Sequence, residues 1–120
     1  MKKDTDNTIA VKSKAFAIRC IRLYQYLTEN KKEFVMCKQL LRSGTSIGAN
    51  VKEALRGQSK ADFGAKMNIA LKEACESEYW LELLVETDYI TQESFNSMTD
   101  DCKEIIRLLT AIVKSTFQCS

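Results

Sequence analysis

Apolar residues recur along this chain at intervals of three and four, the spacing that places side chains on one face of an α-helix. The first segment shows steps of four, three and four between Phe16, Cys20, Leu23 and Leu27. Short polar stretches separate four such segments, which predict helices at residues 8–28, 33–56, 60–87 and 92–116. Helices of similar length joined by short loops favour an all-α, antiparallel up-down-up-down four-helix bundle. We expect residues 1–120 to form one domain.

Polar residues and a glycine predict where some of these helices begin and end. Ser59 is the expected N-cap of the third helix, with Asp62 three residues later in a capping-box position. Thr91 is the expected N-cap of the fourth helix. Gly57 is the expected C-cap of the second helix, because glycine is common just beyond a helix end.

The stretch RSGTSIGANVKEA, residues 42–54, contains two glycines and three hydroxyl side chains, yet it fits the helical pattern. Its apolar residues share one arc of the second helix with others of that helix: Phe34, Cys37, Leu40, Leu41, Ile47, Val51 and Leu55. Gly44 and Gly48 lie in the same arc, so we expect a shallow notch against which another helix packs closely. A phosphate-binding loop is disfavoured, because no strand precedes the glycines and no lysine directly follows the second one.

Away from this arc, the second helix carries a polar face formed by Gln39, Arg42, Ser46, Asn50 and Glu53. Residues three and four apart are neighbours on a helix and can hydrogen-bond along it. The pattern leaves two interpretations open. The face is either solvated, or it serves subunit contact or ligand binding.

The third helix is apolar on two sides. Its expected core line consists of Phe63, Met67, Ala70, Ala74, Leu81 and Val85. A second stripe interleaves apolar residues with two glutamates: Ile69, Glu73, Glu76, Trp80 and Leu83. A helix with two apolar faces is buried on two faces, so this stripe predicts an oligomer interface. The alternative is that Trp80 packs over a neighbouring helix of its own bundle.

Charge is divided unevenly, because residues 1–60 carry a net +8 and residues 61–120 a net −6. A basic surface meeting an acidic surface of the next subunit would give a heterologous contact, which makes a ring if it closes. Neutralisation within one subunit is the alternative. The candidate nucleic-acid contacts are Lys12, Arg19, Arg22, Lys38 and Arg42. Since the net charge is only +2, a solvated basic face remains the competing interpretation.

Several classes of function are disfavoured by composition. The chain has no histidine, so Ser-His and Cys-His pairs and Glu-x-x-His metal motifs are absent. We therefore expect no enzyme, no catalytic residues, no metal, no cofactor and no small-molecule substrate. Five cysteines without a CxxC pair favour buried thiols in a reducing compartment: Cys20, Cys37, Cys75, Cys102 and Cys119. The polar N-terminus and the lack of a long apolar run predict a cytoplasmic protein that does not contact membranes.

The second and third helices carry a family resemblance. RSGTSIGANVKEA followed by SKADFGAKMNIALKEACESEYWLELL resembles the bacterial four-helix-bundle family of 23S rRNA intervening-sequence proteins, to which the name S23 ribosomal protein is also attached. The matching positions of the second helix are Arg42, Ser43, Ser46, Ile47, Asn50 and Glu53. Those of the third are Asp62, Phe63, Ile69, Ala70 and Glu76, with Tyr79, Trp80 and Leu81 after them. Ala54 departs from the glycine that is frequent in the family.

The resemblance implies a four-helix bundle that assembles as a homopentamer. Some family members are encoded within sequences inserted in large-subunit rRNA genes. A relative, the accessory variability protein of diversity-generating retroelements, is a basic pentameric barrel that binds nucleic acid and a reverse transcriptase. Two functions are therefore in view. The first is a non-catalytic homo-oligomer that binds RNA or DNA, and the alternative is a protein-interaction scaffold with no nucleic-acid role.

Overall fold

The chain forms four α-helices and one π-helical turn in a computed structural model that describes residues 4–118. The elements are α1 Asp4–Tyr26, the π-turn Leu27–Lys31, α2 Met36–Leu55, α3 Lys60–Glu86 and α4 Gln92–Gln118. Helices α1 and α3 each pack against both α2 and α4, so the four helices surround one core. The described part of the chain contains no β-strand, which confirms the prediction of an all-α bundle. No helix within it has an apolar stretch long enough to cross a membrane.

The core takes fully buried side chains from every helix, among them Phe16, Ile47, Met67 and Leu109. Burial of these residues confirms the helical periodicity from which the four segments were predicted. Phe34 is an exception, since the sequence assigns it to the buried arc and its side chain is 56% exposed. The physical reason is that α2 begins only at Met36, so Phe34 lies in the preceding loop.

The notch expected at the two glycines lies against α1. A Cβ atom at Gly44 would overlap Sγ of Cys20 and would lie 3.7 Å from the ring of Phe16. A Cβ atom at Gly48 would lie 3.5 Å from Oγ of Ser13, which is an ordinary van der Waals distance. The predicted close approach is therefore confirmed, but only Gly44 is sterically required for it.

Two of the three predicted caps are confirmed. The backbone N–H of Asp62 donates to Oγ of Ser59 at 3.0 Å, and that of Ser94 donates to Oγ1 of Thr91 at 3.1 Å. The prediction for Gly57 is wrong, because Arg56 is the C-cap of α2 and no glycine has a positive φ in the described residues. The N–H of Gly57 instead closes the turn by donating to the carbonyl of Ala54 at 3.0 Å.

The start of α2 is held by a carboxylate that sequence reasoning missed. Glu33 is only 6% exposed, and its two oxygens accept hydrogen bonds of 2.8–3.0 Å from the N–H groups of Val35, Met36 and Cys37. Burial alone raises the pKa of Glu33, but these N–H donors favour the charged form and lower the pKa below its ordinary value. The cap explains why α2 begins three residues later than the sequence predicts.

The two glycines should respond differently to the same substitution. We expect Gly44→Ala to lower the free energy of unfolding by about 1–3 kcal/mol, because its methyl group overpacks the contact with Cys20. Gly48→Ala should leave that free energy unchanged or raise it by up to about 1 kcal/mol, because alanine is the better helix former. Urea unfolding followed by fluorescence of Trp80, the single tryptophan, measures both effects. Adding Cys20→Ala to Gly44→Ala should restore stability, and equal losses at both glycines would contradict the steric assignment.

Glu33→Gln should give a stability loss that depends on pH. The charged carboxylate stabilises the fold fully above the ordinary pKa of 4.5, and this contribution disappears as the pH falls through the lowered folded-state pKa. We expect the variant to lose about 0.5–2 kcal/mol near neutral pH, as for other helix caps, and progressively less in acid. Urea unfolding across this pH range measures the loss, with Glu29→Gln at an exposed position as control. A loss for Glu33→Gln that stays constant into acid would be evidence against the capping role.

Candidate functional site

The predicted polar face of the second helix lies along the seam between α2 and α3. Arg42 reaches from α2 to two carboxylates one turn apart on α3. Its Nη1 lies 3.3 Å from Oε2 of Glu73, and its Nη2 lies 2.5 Å from Oε2 of Glu76. The face therefore joins two helices of the same chain, an arrangement that neither interpretation of the sequence included.

Glu76 is the centre of this network. Its Oε2 also accepts a hydrogen bond of 2.9 Å from Nε1 of Trp80, one turn further along α3. The hydrogen bonds from Trp80 and Arg42 together lower the pKa of Glu76, and the two glutamates raise the pKa of Arg42. Glu73 has a side chain only 19% exposed, and its Oε1 is buried without a hydrogen-bond partner in the described residues. The network thus holds a mostly buried carboxylate beside an exposed arginine.

The other members of the polar face bond differently from the expected side-chain ladder. The hydroxyl of Ser46 donates to the carbonyl of Arg42 at 2.7 Å, and the amide of Asn50 donates to the carbonyl of Ser46 at 2.8 Å. Glu53 pairs with Lys66 of α3 at 3.1 Å. Ser46 and Asn50 therefore satisfy carbonyls of their own helix, and only Arg42 and Glu53 link the face to α3.

A buried hydroxyl pair beneath this face was missed by sequence reasoning. Ser43 of α2 and Ser77 of α3 are both fully buried, and their Oγ atoms lie 2.8 Å apart. The spacing contained the signal, because Ser77 continues the core line of the third helix between Ala74 and Leu81. Two small polar residues facing each other allow α2 and α3 to pack closely while their hydroxyl groups remain satisfied.

Three of the five predicted nucleic-acid contacts are paired within the chain. Lys12 lies 3.1 Å from Glu104, and Arg19 lies 2.6 Å from Asp101, so both α1 cations face carboxylates of α4. Arg19 also donates to the hydroxyl and the carbonyl of Ser97. Arg42 is held by α3, as described above. The remaining two, Arg22 and Lys38, are exposed and have no carboxylate within ion-pairing distance among the described residues.

The second stripe of the third helix is half-buried in the chain itself. Trp80 packs against the hydrophobic core, which favours the alternative that it covers its own bundle. Leu83 is also half-buried, whereas Ile69 remains 41% exposed. Tyr79, which sequence reasoning did not assign to the stripe, is 52% exposed and meets Trp80 edge to face, with ring centroids 5.4 Å apart.

A second exposed apolar surface lies on α1 and was also missed. We call it the α1 stripe, and its residues are Val11, Ile18, Ile21 and Tyr26. Val11 is 70% exposed and the others are 40–46% exposed. The spacing of seven between Val11 and Ile18 was available in the sequence, but the stronger core line of the same helix obscured it.

The cysteines have the environment of structural thiols, with one exception. Burial raises the pKa of Cys20, Cys37 and Cys102 to about 12, so these groups stay protonated and are poor nucleophiles. Cys75 is exposed, which corrects the expectation that it is buried, and Cys119 lies outside the described residues. Among the described residues, no cluster of three or more potential ligands could hold a metal ion.

These features define a helical bundle whose exposed faces carry the candidate sites. Residues 5–111 match the model of the family described as 23S rRNA-intervening sequence protein, and the chain therefore belongs to this family. A solved structure from Bacteroides thetaiotaomicron, described as a protein of unknown function from the S23 ribosomal protein family, is 57% identical. The match covers 92% of this chain and 98% of that one, with a TM-score of 0.90. A search of the curated proteins gave no match.

The Arg42 network should contribute more to stability than an ordinary surface ion pair. We expect Arg42→Gln to lower the free energy of unfolding by about 1–2 kcal/mol, because mostly buried Glu73 loses its cationic partner. Lys66→Gln, which breaks the more exposed pair with Glu53, should change it by no more than about 0.5 kcal/mol. Urea unfolding at one protein concentration compares the two variants. Equal effects would mean that the Arg42 network is only a solvated surface contact.

Proposed function

We propose that the protein is a non-catalytic subunit of a cytoplasmic, ring-like homo-oligomer that binds RNA or DNA. The family resemblance implies that the ring is a pentamer. Each subunit is an antiparallel up-down-up-down bundle, and the ring brings identical binding surfaces together, so weak contacts with a polyanion add up.

The order of contacts between neighbouring helices supports the antiparallel topology. Gly44 of α2 lies near Cys20 of α1, and Gly48 lies near Ser13. Residue numbers therefore rise along α2 in the direction in which they fall along α1. The salt bridges Lys12–Glu104 and Arg19–Asp101 show the same opposite order for α1 and α4. The salt bridges Arg42–Glu73 and Glu53–Lys66 show it for α2 and α3.

The observation that carries the oligomer is a pair of apolar surfaces on diagonally placed helices. The α1 stripe is one, and the other is the α3 stripe, formed by Ile69, Tyr79, Trp80 and Leu83. Because α1 and α3 both pack on α2 and α4, their outer faces point in opposite directions. Two different patches on opposite sides suit a heterologous, head-to-tail contact, which generates a ring when the rotation closes.

The lack of an activated thiol among the described residues supports a non-catalytic role. The three buried thiols are protonated, and the chain has no histidine that could act as a base. The family description names no reaction. Reduced cysteines in the described residues are also in keeping with a cytoplasmic location.

Nucleic-acid binding is supported by cations that no carboxylate of the described chain neutralises, including Arg22 and Lys38. The alternative function, a protein-interaction scaffold, is favoured by a different observation. Lys12, Arg19 and Arg42 are committed to ion pairs within the chain and are not free for phosphates.

The head-to-tail assembly can be tested by solution mass. Ile18→Glu on the α1 stripe and Tyr79→Glu on the α3 stripe should each dissociate the oligomer, because each buries a charge in the contact. An equimolar mixture of the two variants should form heterodimers, since one intact stripe of each kind remains available. Light scattering measures all three masses, and Thr110→Glu, at an exposed position on α4, is the control. A monomeric wild-type protein would refute the assembly, and dissociation by only one variant would refute the head-to-tail arrangement.

A further inference from the structure

A groove between α1 and α2 lies apart from the α3 stripe and from the polar face, and it borders the α1 stripe at Lys14, three residues after Val11 and four before Ile18. It has a volume of about 450 Å³ and opens to solvent. Its lining combines small residues, among them Ala17, Gly48 and Ala49, with the larger Val51 and Leu55. Exposed Lys14 from α1 and exposed Lys52 and Arg56 from α2 form its rim. No feature of the sequence pattern had singled out these three cations.

The rim concentrates positive charge. The three side chains are exposed, and none has a carboxylate within ion-pairing distance among the described residues. Among the residues whose side chains the structure describes, no aspartate or glutamate lines the groove. Its charge of +3 therefore exceeds the net charge of +2 of the whole chain, whereas Lys12, Arg19 and Arg42 are neutralised by neighbouring helices. A polyanion is the partner that this surface complements.

Gly48 adds a second observation. Glycine inside a helix costs about 1 kcal/mol relative to alanine. The packing of α1 on α2 does not require it, because a Cβ atom at this position would have ordinary contacts with Ser13. Its effect is to keep the floor of the groove low, so that an extended backbone can approach the helices closely.

The groove has few hydrogen-bonding groups that could recognise a base. Thr45 is the lining residue with a hydroxyl group, and this group donates to the carbonyl of Leu41 at 2.7 Å. Contacts with phosphates position a nucleic acid without reading its sequence, whereas sequence is read by groups that reach base edges. The chemistry of the groove thus matches the repeated charge of a phosphodiester backbone.

We propose that the α1–α2 groove binds the phosphodiester backbone of RNA or DNA independently of base sequence, through Lys14, Lys52 and Arg56. This inference rests on the proposed nucleic-acid function and assigns its site to residues other than those predicted from the sequence. In a ring, each subunit presents one such groove, so that a single strand or hairpin contacts several copies at once.

The test compares two variants with the same loss of charge. The groove variant carries Lys14→Gln, Lys52→Gln and Arg56→Gln, and the control carries Lys103→Gln, Arg107→Gln and Lys114→Gln at exposed positions of α4. Fluorescence anisotropy with a labelled RNA hairpin, at salt concentrations from about 50 to 200 mM, gives the slope of log K against log salt. We expect the groove variant to lower the magnitude of this slope by about 2–3 for each groove that the hairpin contacts, since each lost phosphate contact removes about 0.7–0.9. The control should retain the wild-type slope, and a hairpin of scrambled sequence should bind equally well.

The possible results of this experiment test the proposed function and the proposed site separately. If the wild-type protein does not bind the hairpin at low salt, nucleic-acid binding itself is refuted, and the site with it. If the wild type binds and both variants lose the same amount, or neither loses any, the groove assignment is overturned while the function stands. A strong preference for one hairpin sequence would also overturn the backbone-only mode. Light scattering of both variants confirms that the assembly, and hence the number of sites, is unchanged.

Discussion

The contact between Gly44 of α2 and Cys20 of α1 is the steric constraint from which much of the bundle follows. Because Gly44 has no Cβ, α2 can lie directly against the side chains of Cys20 and Phe16. This approach orients α2 about its axis, so that Ser43 is buried against α3 and Arg42 lies over the seam between α2 and α3. The absence of a methyl group at Gly44 therefore affects both the packing of α2 and the position of its polar side chains.

Charge in this protein is organised mainly within the chain. The basic first half and the acidic second half meet along the α1–α4 and α2–α3 seams, where Lys12, Arg19 and Arg42 find carboxylates. Ion pairs at partly exposed positions contribute little to stability, but the paired cations are no longer available to bind a ligand. A charged ligand is therefore left with the cations that no neighbouring helix neutralises, and Lys14, Lys52 and Arg56 are three of these that line one groove.

Exposed apolar side chains are the second feature of the surface, beside its unpaired cations. Trp80 is largely accommodated by its own bundle, through the core beneath it and the hydrogen bond to Glu76. The α1 stripe has no comparable cover, and Val11 is 70% exposed. Isolated exposed apolar residues are normal, whereas two groups on opposite helices are the arrangement that a repeating contact between copies needs. The α1–α2 groove borders the α1 stripe, since Lys14 lies between Val11 and Ile18 on the same helix, whereas the α3 stripe lies on the opposite side.

The helices, the small residues of the α1–α2 contact and the family were all readable from the amino-acid sequence. Periodicity at 3.6 residues, the caps at Ser59 and Thr91 and the motif of residues 42–54 are local properties of the chain, so sequence order contains them. Which cations are free was decided only by the tertiary structure. Pairing of Arg19 with Asp101, or of Arg42 with Glu76, joins residues far apart in sequence, and its outcome depends on how the helices face each other. The cap at Glu33, by contrast, joins residues only two to four apart, and the exposure of Phe34 follows from the residue at which α2 begins.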